Sequence, residues 1–164
     1  MPNRPVIANN TPLAALSPLG RLDLLRDLFD ELLIPPAVHA EFLATEHDRR
    51  QAQLQEAPWL KIADVIDPRH AMFNTGLDRG EAEVLALAAE RQARLLLMDD
   101  RRGRRFARRL GFRVTGTVGV LVLAKKEGLL ESVEPSLLEL QENGFYLGPS
   151  LIANVLSAAG ESES

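Results

Sequence analysis

Short apolar runs alternate along the chain with longer segments that repeat apolar residues at helical spacing. The clearest run, LLLM at residues 95–98, contains no alternating polar residues and is typical of a strand buried on both faces of a parallel sheet. Similar runs begin near residues 6, 32, 60 and 112. Strands that alternate with helices in this way predict an α/β protein, a three-layer α/β/α sandwich with a central, mostly parallel sheet.

Capping signals set the expected helix boundaries. Thr11 is predicted to cap the first helix, and residues 67–77, which contain a proline and a glycine, are predicted to form a loop. Asp78 followed by Glu81 predicts a capping box at the start of the next helix. That helix, residues 82–89, is apolar on nearly every side and is expected to be buried.

Composition restricts the class of protein. The 164 residues contain 46% hydrophobic and 26% charged residues, which is ordinary for one globular domain. We expect a single domain over residues 1–159 and a flexible polar tail over residues 160–164. The chain has no cysteine and no apolar run near the ~20 residues of a membrane span, so a cytoplasmic location without membrane contact is predicted. The net charge of −4 argues against a generally basic surface.

Oxygen-bearing side chains follow the predicted strands or lie in the first turns of the next helices. The carboxyl ends of parallel strands meet at one edge of a sheet, where ligand sites form. Oxygen ligands suit hard cations such as Mg²⁺ and Mn²⁺, which can activate water and neutralise phosphate charge. The candidates are Asn9, Asn10, Glu41, Asp78, Glu81, Glu83, Asp99 and Asp100.

Several of these side chains have a simpler structural interpretation. Asp78 is favoured as a helix cap, and Glu81 completes the capping box as readily as it binds a ligand. Glu83 interrupts an otherwise apolar helix, so its carboxylate needs a partner. Either Asp99 or Asp100 can cap the helix that follows, and spacing does not distinguish them.

A cluster of arginines follows the two aspartates directly. A charge cluster is usually a solvated helix face, but its position beside the acids favours phosphate binding equally well. The arginines are Arg101, Arg102, Arg104, Arg105, Arg108 and Arg109.

Four motifs in this order resemble the PIN-domain superfamily, and within it a prokaryotic branch of predicted nucleic-acid-binding proteins related to VapC-type toxins. They are VIANNTPLAAL at residues 6–16, LLIPPAVHAEFL at 32–43, GEAEVLALA at 80–88 and LLLMDDRRGRRFARRLGFRVTGTVGVL at 95–121. The last is the most specific, and the four motifs are distributed over residues 6–121.

The resemblance implies a Mg²⁺- or Mn²⁺-dependent endoribonuclease with this α/β/α fold. Glu41, Glu83 and Asp99 would be catalytic, and Asn9, Glu41, Glu81, Glu83, Asp99 and Asp100 would hold the metal, with Asp99 and Asp100 as alternatives. RNA phosphates would bind Arg101, Arg102, Arg104, Arg105 and Arg108. The resemblance also implies a homodimer. A toxin that a small antitoxin protein neutralises is a third alternative.

Asn9 departs from the pattern of the superfamily, which normally has an aspartate at that position. An amide offers a neutral oxygen but cannot offset a dication or act as a base. The alternative is therefore a non-catalytic module that keeps the fold and binds RNA or a protein. A response-regulator receiver is disfavoured, because it needs an acid pair where this chain has Asn9 and Asn10.

Overall fold

A computed structural model describes residues 4–72 and 76–161 of the chain. The strands are β1 (Val6–Ala8), β2 (Leu32–Ile34), β3 (Leu60–Ile62), β4 (Leu95–Leu97) and β5 (Val114–Thr115). The helices are α1 (Asn10–Leu16), α2 (Asp23–Phe29), α3 (Pro36–Leu43), α4 (His47–Gln55), α5 (Arg69–Met72), α6 (Arg79–Arg91), α7 (Arg101–Arg109), α8 (Thr117–Lys126), α9 (Glu134–Glu142) and α10 (Pro149–Ala158).

The five strands form one sheet in the order β3-β2-β1-β4-β5, and every pair is parallel. The three central strands are almost entirely buried, and only Leu95 of β4 is partly exposed. The predicted parallel sheet is thus confirmed, and the apolar runs do not alternate because both faces of these strands are covered.

Helices cover both faces of the sheet. The chain crosses from β1 to β2 in one direction and from β3 to β4 in the other, so right-handed connections place α1 and α2 on the opposite face from α6. Helix α6 buries Val84, Leu85 and Leu87 completely, as the sequence predicted. The α/β/α sandwich is confirmed.

Two predictions of local structure are wrong. The first helix begins at Asn10 after Asn9, not after Thr11, because the Asn9 N–H bonds the Leu97 carbonyl at 2.9 Å and the chain turns into the helix directly. The predicted loop at residues 67–77 contains α5. Tertiary contacts organise this segment, since Glu90 of α6 accepts hydrogen bonds from the N–H groups of Ile66 and Asp67.

The described end of the chain is tied to the domain. Glu161 accepts hydrogen bonds from Lys125 Nζ at 2.8 Å and from the Val133 N–H at 2.7 Å. Residue 161, which was expected in the flexible tail, is therefore anchored, and residues 162–164 of that predicted tail lie outside the described residues. Within the described ranges, every helix is too short or too polar to cross a membrane.

Candidate functional site

The connections from two neighbouring strands diverge at the carboxyl edge of the sheet. Strands β1 and β4 are adjacent, but the chain leads from β1 to β2 on one side and from β4 to β5 on the other. Sheets of this kind bind ligands at such a switch point, outside the carboxyl ends of the strands. Asn9 follows β1 here and is 7% exposed, and Asp99 and Asp100 follow β4.

The first turn of α6 brings a further carboxylate to this edge. Asp78 caps the helix by accepting from the Glu81 N–H at 2.8 Å, and Glu81 Oε1 accepts from the Asp78 N–H at 3.2 Å. The predicted capping box is confirmed. Because this pairing uses Oε1, it leaves the second oxygen of Glu81 directed away from its own helix end.

Two glycines allow side chains from different elements to meet. A Cβ at Gly80 of α6 would overlap Glu41 Oε1 and lie 3.3 Å from Asn9 Oδ1. A Cβ at Gly103 of α7 would lie 2.6 Å from Glu81 Oε2. These close approaches place Asn9, Glu41 and Glu81 around the first turns of α6 and α7.

Gly80 and Gly103 were not among the residues predicted for the site. The signal was present, because a glycine inside a helix costs about 1 kcal/mol relative to alanine and indicates close packing when it occurs beside polar candidates. Gly103 stands alone among arginines in an otherwise unbroken helical segment.

Glu81 is the least satisfied carboxylate at this edge. Glu81 is only 6% exposed to solvent, and its Oε2 has no hydrogen-bond partner among the described residues. Burial, the negative charges of Asp78 and Asp100 and hydrogen bonding of the protonated carboxyl with Asp100 together raise the pKa of Glu81 to about 7, against the lowering effect of the Asp78 N–H. A proton or a cation at this position would relieve the repulsion.

Glu41 belongs to the same electrostatic cluster. Partial burial raises the pKa of Glu41, and the nearby charge of Asp78 adds to the shift. Glu41 lies on α3, near the end of β2, so the cluster combines groups from three neighbouring strands of the sheet. We call Asn9, Glu41, Asp78, Glu81 and Asp100 the acidic cluster.

The adjacent aspartates after β4 point to different elements. Asp100 caps α7 through the Gly103 N–H at 2.9 Å and interacts with Glu81. Asp99 instead accepts from the Thr117 N–H at 2.9 Å and the Thr117 hydroxyl at 2.7 Å, which fixes the start of α8. Asp100 is therefore in the acidic cluster, whereas both oxygens of Asp99 are bonded outside it.

Glu83 also lies apart from the cluster. Its Oε1 accepts from the Ala37 N–H at 3.1 Å and holds the first turn of α3, while Oε2 accepts from Arg79 Nε at 3.1 Å. This is the partner that a carboxylate in an apolar helix requires. Glu83 and Asp99 were both expected to be catalytic, but each of their carboxylate oxygens accepts a hydrogen bond outside the acidic cluster. Glu81 and Asp100 instead lie beside each other.

The arginines of α7 form a cationic face next to the acidic cluster. Arg101, Arg102, Arg105 and Arg108 are exposed, whereas Arg104 is half-buried, with Nη1 3.3 Å from the position of a Cβ at Gly116. None of the ion pairs between described residues includes an arginine of this helix. Their charges are available for an anion.

The donor set of the acidic cluster suits a hard divalent cation. All its groups are oxygen donors, Glu81 Oε2 is buried without a partner, and like charges crowd around it. Across residues 4–72 and 76–161, however, no three histidine, cysteine, aspartate or glutamate side chains surround one point closely enough to share an ion. The chemistry of the residues fits a metal, and side-chain rotation would be needed to complete its coordination.

Comparison with known proteins gives a match that supports the fold and covers nearly the whole chain. A family model described as a PIN domain matches residues 5–161. A search of curated proteins found no match. The match spans the sheet and every member of the acidic cluster, and the chain belongs to the PIN-domain family.

Proposed function

We propose that this PIN domain is a metal-dependent nuclease that hydrolyses phosphodiester bonds of RNA, with Mg²⁺ or Mn²⁺ as its cofactor. The family supports a nuclease-type fold. In this proposal Glu41, Glu81 and Asp100 hold the ion, and Asn9 contributes a neutral amide oxygen. A role as the toxin of a toxin–antitoxin pair, with a small antitoxin partner, stays a prediction, as do the homodimer and the relation to VapC-type toxins.

The observation that carries the proposal is the state of Glu81. A buried carboxylate oxygen without a partner, beside a second carboxylate, costs free energy in the absence of a cation. Proteins keep such costs at sites where a ligand offsets them, and strongly raised carboxyl pKa values concentrate at functional sites.

The other residues of the site have separate tasks. A bound divalent ion would lower the pKa of water and offset phosphate charge. Asp78 orients Glu81 through the capping box, and Gly80 leaves the space that Glu41 needs beside Asn9. The arginines of α7 position the phosphate backbone, while Glu83 and Asp99 act as positioning residues that hold the first turns of α3 and α8.

Calorimetric titration with Mn²⁺ tests the proposal directly. We expect micromolar binding to the wild type, and loss of that binding in Glu81→Gln and Asp100→Asn. The matched controls are Glu83→Gln and Asp99→Asn, because each amide keeps an oxygen acceptor for the backbone N–H that the carboxylate holds. Unchanged Mn²⁺ binding in Glu81→Gln and Asp100→Asn would refute the assignment of the site.

A second candidate function is a non-catalytic PIN module that binds RNA. Asn9 favours it, because a neutral amide at the end of β1 weakens the hold on a dication. The test is cleavage of a mixed RNA substrate with Mn²⁺ by the wild type and by Asn9→Asp. Cleavage by the variant alone would indicate that the wild type is a binding module, whereas EDTA-sensitive cleavage by the wild type supports the nuclease.

A further inference from the structure

A groove lies along the free edge of the sheet, beyond β5. It has a volume of about 970 Å³ and is bounded by β5, α8 and α10, with Asp99 and Arg104 at one end. Among the residues that the structure describes, β5 pairs with β4 alone, so its other edge faces this groove. We call this feature the β5 groove.

The charge of the β5 groove is strongly positive for a protein with a net charge of −4. Its lining includes Arg94, Arg104, Arg113 and Lys126. The lining contains one acid, Asp99, whose two oxygens are already bonded by Thr117. Within residues 4–72 and 76–161, the hydrogen bonds of the Arg94 side chain go to neutral backbone carbonyls, those of Arg4 and Phe29 at 3.4 Å. Electrostatic complementarity therefore favours a polyanion as the occupant.

A strongly exposed aromatic ring lies at the same groove. Tyr146 is 87% exposed, although it precedes the buried Leu147 and follows the half-buried Phe145. Exposed aromatic rings beside cationic side chains form the stacking platforms of proteins that bind single-stranded nucleic acids. Such platforms accept unpaired bases, whereas paired bases in a duplex cannot stack on them.

One end of the groove lies close to the acidic cluster. Arg104 lies one helical turn after Asp100 on α7, a rise of about 6 Å along the helix axis. Arg104 and Asp99 both lie against Gly116 at the end of the groove. A strand that occupies the groove can therefore continue over the first turn of α7 and reach Asp100 and Glu81.

The edge of β5 offers little to an added peptide strand. The carbonyls of Arg113 and Thr115 bond to β4, so the alternation of the strand turns the N–H and C=O of Val114 toward the groove. Because β5 has only two residues, this one outward pair is too short a template for strand addition. Its polar groups suit the edge of a base.

We propose that the β5 groove binds single-stranded RNA, with Tyr146 stacking on a base and Arg113 and Lys126 contacting phosphates. This inference rests on the proposed nuclease function, because it describes how an RNA substrate would reach the acidic cluster.

Fluorescence anisotropy with a labelled oligouridine of about ten nucleotides tests this proposal in EDTA, where no cleavage occurs. We expect Tyr146→Ala to weaken binding at least about fivefold, and Tyr146→Phe to bind like the wild type because it keeps the ring. Arg113→Gln and Lys126→Gln should each lower the slope of log affinity against log salt by about 0.7. Arg21→Gln is the matched control, since Arg21 is exposed and lies outside the lining of the groove.

Several results would overturn the proposal. They are an absence of RNA binding to the wild type at low salt, equal affinity of Tyr146→Ala and wild type, and equal affinity for duplex RNA. Oligoglutamate of matched charge is a further control, and competition as strong as that of oligouridine would identify an acidic protein segment as the occupant instead.

Failure of the inference and failure of the nuclease proposal have different signatures. Groove-dependent binding in EDTA without cleavage in Mn²⁺ would support the inference and refute the nuclease. Cleavage in Mn²⁺ by Tyr146→Ala with unchanged KM would support the nuclease and refute the groove as the path of the substrate.

Discussion

Glu81 and Glu83 lie two residues apart on α6 and have opposite environments. Two helical positions differ by about 200° around the axis, so the two side chains point to different neighbours. Glu83 bonds both of its oxygens, one to a backbone N–H of α3 and one to Arg79. Glu81 has a buried oxygen without a partner and a pKa of about 7.

Asp99 and Asp100 repeat this contrast after β4. Asp99 bonds Thr117 with both oxygens, whereas Asp100 bonds one N–H of α7 and interacts with Glu81. In each pair, one carboxylate has both oxygens hydrogen-bonded, and the other lies beside a like charge. The carboxylates that the fold does not fully satisfy are the better candidates for a ligand site.

The largest expected effect distinguishes the members of each pair by their activity on RNA. Glu81→Gln and Asp100→Asn should lower the Mn²⁺-dependent cleavage rate by at least about 100-fold, because each removes a charge at the proposed reaction site. Glu83→Gln and Asp99→Asn should remain within about threefold of the wild type, since each amide keeps one acceptor oxygen for the backbone N–H of Ala37 or Thr117. Initial cleavage rates measure this, and equal losses in all four variants would abolish the contrast.

Gly80→Ala is expected to disturb the acidic cluster without unfolding the protein. The added methyl group would displace the Glu41 carboxylate from Asn9, while alanine improves the helix by about 1 kcal/mol. We expect Mn²⁺ affinity to fall about tenfold, which is about 1.4 kcal/mol, with little change in thermal stability. Calorimetry and thermal melting measure the two effects, and Gly128→Ala is an unsuitable control because its φ of +78° penalises alanine. Ser157→Ala, on an exposed face of α10, is the control.

The raised pKa of Glu81 predicts an unusual dependence of stability on pH. Between pH 4.5 and about 7 the folded chain holds a proton on Glu81 that the unfolded chain has released, so the free energy of unfolding falls as pH rises through this window. In a chelator at pH 8, Glu81→Gln should be more stable than the wild type by about 1 kcal/mol after screening by solvent, and the difference should vanish near pH 4. Denaturant unfolding at both pH values measures it. A variant less stable than the wild type at pH 8 would contradict the environment assigned to Glu81.

The smallest expected effect concerns Glu83, whose two carboxylate oxygens already accept hydrogen bonds. Arg79 is 87% exposed in its ion pair with Glu83, so Arg79→Gln should cost no more than about 0.5 kcal/mol of stability. Mn²⁺ binding should not change, because this pair lies outside the acidic cluster. A larger loss of stability, or weaker Mn²⁺ binding, in denaturant and calorimetric measurements would connect Glu83 with the site.

Much of the fold could be predicted because its signals are local. The non-alternating run before Asp99 predicted a central parallel strand, and the spacing of Asp78 and Glu81 predicted a capping box. The start of the first helix was misplaced at Thr11, since the bond between Asn9 and β4 that lets the helix begin earlier is not local. The short helix α5 was missed for the same reason, because the segment before it is held by Glu90 of α6.

The site was predictable as a set of oxygen-bearing residues at one edge, but not as an arrangement. Sequence spacing left Asp99 and Asp100 equivalent, and it offered no means to see that Glu83 reaches the first turn of α3. Those outcomes depend on which backbone N–H groups lie within about 3 Å of each carboxylate once the sheet and helices have packed.

The sequence alone determined the parallel α/β architecture, the burial of α6 and the concentration of acids and arginines after the strand ends. Hydrophobic patterning and capping act over a few residues and are therefore written in the order of the chain. Only the tertiary structure decided which acids are satisfied and which remain available. The strand order β3-β2-β1-β4-β5 brings Asn9, Glu41, Glu81 and Asp100 together from distant parts of the chain, and hydrogen bonding then removes Glu83 and Asp99 from the group.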